Sequence, residues 1–123
     1  MLNIHMDLNI FILLLIKHAI VDIGIQRMQT NLNKISYKSH RAHYHYGSHG
    51  LGTFIVFMLF TGPVTALIAG LLDWVAHWHI DWAKHTILKK LPTVKSHSIS
   101  WWWVTAIDQI FHYLTYYLLV ILL

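Results

Sequence analysis

Four apolar stretches, each long enough for several helical turns, divide the chain, with short polar segments between them. They occupy about residues 8–26, 44–61, 63–84 and 101–122. A helix needs about 20 residues to cross the hydrocarbon of a bilayer, so each stretch is of spanning length or close to it. Pro63 suits the first turn of the third helix, with Gly62 or Thr61 as its cap. The amphipathic pattern then runs on to about Lys90, and Pro92 stops it. Ser100 is the expected cap of the fourth helix, which starts at Trp101. The second stretch holds Gly47, Gly50 and Gly52, which makes its start the weakest boundary. The pattern predicts an all-α fold, one integral membrane four-helix bundle formed by residues 1–123.

Polar residues inside these stretches recur one helical turn apart. His18, Asp22 and Gln26 form one stripe of the first helix. Asp73, His77 and Asp81 repeat the spacing on the third, and Lys84 and His85 complete that stripe. Asp108 and His112 pair on the fourth, and His45 and His49 pair near the start of the second. Ionisable residues in apolar helices are costly and by default mark function. An Asp/His pair at one turn supplies two ligands to a site, or one ligand and the group that orients it. Lys17 adjoins His18 but projects about 100° away, which favours snorkelling or pairing over chemistry. Trp74, Trp78 and Trp82 form a neighbouring stripe suited to packing or to lipid.

Composition narrows the chemistry. The chain is 56% hydrophobic and 11% charged, well below the quarter of charged residues usual in a soluble domain. Cysteine is absent, which excludes disulfides, thiolate catalysis and iron–sulfur clusters, and the acids are Asp7, Asp22, Asp73, Asp81 and Asp108. Eleven histidines and a net charge of +4 remain. In so apolar a chain that charge points to membrane lipids as partners, and not to nucleic acid.

Lys and Arg concentrate in two connections. Arg27, Lys34, Lys38 and Arg41 lie in the first, and Lys84, Lys89, Lys90 and Lys95 at the third helix end and in the connection after it, whereas the Thr61–Gly62 turn and the C-terminus carry none. The positive-inside rule places both basic loops in the cytoplasm and both termini outside, as four spans require. Trp101, Trp102 and Trp103 then sit at the membrane interface. Counted from the cytoplasmic helix ends, His18 lies about 12 Å deep, His77 about 8 Å and Asp108 about 10 Å, so the stripes overlap in one layer. Bundles build metal sites this way, from facing helices. The expected ligands are His18, Asp22, His49, His77, Asp81 and His112, with Gln26, Asp73 and Gln109 orienting them. His and carboxylate without thiolate favour Zn, Mn or Fe over Mg.

The ordered set His18-x3-Asp22-x3-Gln26, Lys34, His49, His77-x3-Asp81-x2-Lys84 and Asp108-Gln109-x2-His112 resembles a known family. It is similar to the small bacterial and phage membrane proteins grouped as domain-of-unknown-function family 3307, over about Ile12 to Leu119. That resemblance implies a membrane bundle with a shared polar site, in a bacterial inner membrane or that of a phage-infected host. It implies no named reaction. The His-rich segment from Ser36 to Ser48 leaves the second-helix histidine open between His45 and His49.

The site's depth near headgroups suggests a metal-dependent hydrolase acting on a lipid or phosphoester. Asp81 or Asp108 would serve as general base, and Lys84 would stabilise developing negative charge. Three alternatives stand beside it. One is ion, proton or metal transport, for which a homo-oligomer could supply the larger architecture. The others are haem binding by facing histidines, and a purely structural network that fixes helix register.

Overall fold

The computed structural model describes residues 3–25, 37–38, 40–91 and 98–123. Among them are four α-helices and no strand: α1 (Ile4–Ala19), α2 (His40–Met58), α3 (Pro63–Lys90) and α4 (Ile99–Leu122). The first helix does not run on regularly to Ile25, because Ile20–Ile25 form a π-helical turn. Such wider turns inside helices are uncommon and often lie at functional sites. This one carries Asp22.

Local chemistry explains the boundaries. Asn3 caps α1 by accepting a hydrogen bond from the Met6 amide. α2 starts at His40, four residues before Tyr44, so the His-rich segment is itself helical. Gly62 is the cap of α3, and Pro63 occupies its first turn, where a missing N–H costs nothing. The cap of α4 is Ser98 rather than Ser100: its side chain accepts from the Trp101 amide at 3.2 Å, and the helix begins at Ile99. Ser98 wins because it adopts the extended backbone that a cap requires.

α2 and α3 pack most closely where Gly50 meets Gly70. A Cβ on either would stand 2.7 Å from the other's carbonyl oxygen, so only glycine fits at this crossing. Away from the basic connections, Ile10, Leu14, Val56, Phe57, Ala66, Ala69, Leu119 and Val120 form a compact apolar core. Toward those connections the buried residues are instead polar: Lys17, His18, His45, His49, Thr53, Asp73, His77, Asp81, Asp108 and His112. The outer surface is apolar, with Ile12, Ile16, Ile55, Leu67, Ile110 and Leu118 among its exposed side chains. Two helical segments, Ile4–Gly24 and Ile99–Leu122, are long and apolar enough to cross a membrane.

Candidate metal centre

Helical periodicity delivers the polar side chains to the bundle axis in three layers. Nearest the basic connections lie Asp22, His45, Asp81 and Asp108, and next come the rings of His18, His49, His77 and His112. One turn deeper are Lys17, Thr53, Asp73 and Tyr116, and beyond them the apolar core closes the bundle. Each of the four helical segments contributes to every layer.

His77 stands at the centre. Its ring stacks between those of His49 and His112, with centroids 3.6 and 3.9 Å away. The residue is 1% exposed, and neither ring nitrogen has a hydrogen-bond partner among the described residues. A buried imidazole without partners is expensive unless something else takes its lone pair. Two groups of possible ligands share this residue: Asp22, His45, His49 and His77, and then His77, Asp81 and His112. Within each group the ligand atoms lie within 4.8 Å of one another. A cation held at about 2.0–2.2 Å needs its ligand atoms roughly 3.3–3.6 Å apart, within reach of small side-chain rotations. These buried His and Asp groups could hold a metal ion.

Ion pairs already link the two groups. Asp22 Oδ1 is 2.9 Å from His49 Nε2 and 3.3 Å from His45 Nε2. Asp81 Oδ1 is 3.2 Å from His112 Nε2, and its Oδ2 lies 3.7 Å from both His77 and His45. The second helix thus supplies both His45 and His49, which the spacing left as alternatives.

His18, an expected ligand, falls outside both groups. Its Nδ1 lies 2.7 Å from the Tyr116 hydroxyl, and its Nε2 lies 3.0 Å from both Gln109 Oε1 and Asp22 Oδ2. A neutral imidazole has one donor and one acceptor, and both are engaged. His18 is thus tied to Tyr116, Gln109 and Asp22, much as His49 is tied to Lys17 and Asp22. Gln109 continues the chain by donating to Asp108 Oδ2 at 3.1 Å, which suits an orienting role. Gln26 and Lys34 lie outside the described residues.

Lys17 takes the second of the two roles its projection favours, pairing. Its stem passes beside Gly52, where a Cβ would stand 2.6 Å from Lys17 Cγ. The ammonium donates to Asp73 Oδ2 at 2.8 Å and to the Tyr116 hydroxyl at 3.1 Å, and it lies 3.4 Å from His49 Nδ1. Thr53 also donates to Asp73 Oδ2, at 2.6 Å. Lys17 thus links Asp73 to His49. Lys84 pairs with Asp108 at 3.3 Å on the other flank.

Charge bears on what the cluster would hold. Four carboxylates, Asp22, Asp73, Asp81 and Asp108, face two ammonium groups, Lys17 and Lys84. With neutral histidines an excess of two negative charges remains, which one divalent cation would neutralise.

No curated protein and no solved structure matches this chain. The sequence profile of one family, described as "Protein of unknown function (DUF3307)", matches residues 10–123, which contain the whole cluster, and the chain belongs to that family.

Proposed function

We propose that this is a four-span membrane protein whose His/Asp cluster binds one divalent cation, Zn, Mn or Fe in preference to Mg, and uses it to hydrolyse a lipid or phosphoester. The observation that carries the metal reading is His77, fully buried between two ligand groups with neither nitrogen hydrogen-bonded. The imidazole-rich ligand set favours borderline metals over Mg. The membrane reading draws support from the reversal of sides: charged groups within the bundle, Ile and Leu on its surface. The positive-inside rule then puts the loops around Arg27–Arg41 and Lys89–Lys95 in the cytoplasm, with both termini outside.

The cation would polarise a phosphoryl or carbonyl oxygen and acidify a water. The chain's own groups supply the rest. Asp108, with Oδ1 unpartnered by hydrogen bonds, is placed to accept a proton, and Asp81 to hold His112 and His77 in position. Lys84, 18% exposed at its side chain, is placed to meet developing negative charge. Elemental analysis of protein purified in mild detergent tests the reading, with about one equivalent of metal expected. A parent protein without metal after reconstitution with Zn, Mn or Fe would end it. Reporter fusions that found the Arg27–Arg41 loop outside would overturn the orientation.

A second reading, ion or proton transport, is favoured by the Lys17–Asp73 pair, which carries polar groups one turn deeper than the histidines. The fully buried Leu14 and the almost fully buried Phe57 cap that layer, so passage would require the apolar core to open. Flux into liposomes would single it out.

A further inference from the structure

Between α3 and α4 an open groove of about 430 Å³ runs along the outside of the bundle, beside the His/Asp cluster. Ala83 and Ile87 line it from α3, and Val104, Ile107 and Phe111 from α4. Three polar residues also reach it: His79, Lys84 and Asp108. His79 is already engaged, with Nδ1 2.7 Å from the Val75 carbonyl and Nε2 3.0 Å from the Tyr37 hydroxyl. Lys84 uses one of its three donors on Asp108 Oδ2. Asp108 is 5% exposed, and its Oδ1 has no hydrogen-bond partner among the described residues, His112 standing 3.5 Å off.

We infer that this groove binds the alkyl chain of a phosphate-headed amphiphile and sets its headgroup against Lys84. The inference rests on the hydrolase reading and names the form of its substrate. Apolar walls select an alkyl chain, and the half-buried ammonium selects an anion, which in a bilayer leaflet is foremost a lipid phosphate. Lys84 stands between the headgroup and the Asp108 carboxylate, which shields the like charges from each other. Asp108 in turn leads through His112 to Asp81 and His77, so the phosphoester is presented at the edge of the ligand groups.

The test is binding of dodecyl phosphate to the full chain in neutral maltoside detergent, after chelation and again with Zn restored, with metal content measured separately. Dodecyl phosphate is expected to bind with and without metal, and inorganic phosphate or dodecanol at least tenfold more weakly. Ala83→Trp and Ile107→Trp, which fill the groove from opposite walls, are each expected to lower affinity tenfold or more while helical content by circular dichroism and bound Zn stay at parent levels. Lys84→Gln is expected to remove the preference for dodecyl phosphate over dodecanol. Equal binding of dodecanol and dodecyl phosphate to the parent would reduce the groove to ordinary lipid contact and overturn the inference. So would unchanged affinity in both Trp variants. Binding that persists in a protein unable to hold metal would sink the metal reading and leave the groove standing.

Discussion

The two halves of the bundle solve the same packing problem with opposite materials. In the half around Leu14, Phe57, Ala66 and Ala69 the helices meet through apolar side chains of ordinary size. In the half around His77 the same helices meet through five histidines, four carboxylates and two lysines. Dispersion and close packing suffice for the first half, because apolar side chains leave no polar group in need of a partner. The second half depends on pairing, since each buried charge is costly until its partner is in place. A fold that needed only stability would have continued the apolar half to the end. Retaining ten buried polar residues in one half sets that half apart for chemistry and leaves the other as its scaffold.

Substitutions can break this division. The largest effect is expected at Lys17. Lys17→Met leaves Asp73 buried without its ammonium and should cost about 3–5 kcal/mol of unfolding free energy in detergent. Adding Asp73→Leu should recover most of that loss, and a double variant no more stable than the single would show that the pair is not the source. In the apolar half, Leu14→Ala should cost about 2–5 kcal/mol through the cavity it leaves. Bound metal should not change, and its loss would mean that the halves are not separable.

Smaller effects sharpen the comparison within the polar half. His77→Ala should lower metal affinity by about a hundredfold or more, beyond the 10–100-fold typical of losing an orienting residue. His79→Ala, on a different face and bonded to Val75 and Tyr37, should leave metal content at the parent level. Equal metal in both variants would remove His77 from the site. The smallest effect is expected from Lys84→Arg, about tenfold in complementation of a host that lacks the native gene, with metal and topology intact. Lys89→Arg and Lys90→Arg should be silent, and full function of Lys84→Arg would reduce Lys84 to a loop charge.

Much of this was legible because helices repeat. A residue and its fourth neighbour share a face in any α-helix, so Asp73, His77 and Asp81 could be aligned with Asp108 and His112 before any contact was known. What periodicity cannot express is reach. The projection of Lys17 away from His18 favours pairing without naming the partner; its four-carbon stem bends past Gly52 and brings its ammonium to Asp73. Nor does spacing count lone pairs: His18 lies on the stripe as expected, but Tyr116 and Gln109 already occupy its nitrogens. The π-helical turn at Ile20–Ile25 has no signature in a pattern of apolar positions, and the partner of Lys84 depended on how α3 and α4 cross. The groove between them is a property of two surfaces and belongs to neither helix alone.

The contact between Gly52 and Lys17 also has a meaning for sequence drift. The missing Cβ at one position is filled by the aliphatic stem from the other, and any larger residue would bring its Cβ to 2.6 Å from Lys17 Cγ. Neither residue is free to change first. A larger residue at 52 becomes acceptable only after 17 has shortened, and a shorter 17 strands Asp73 unless it too has turned apolar. Three positions on three helices are therefore coupled, and members of this family that carry Lys at 17 should also carry Gly at 52 and Asp at 73.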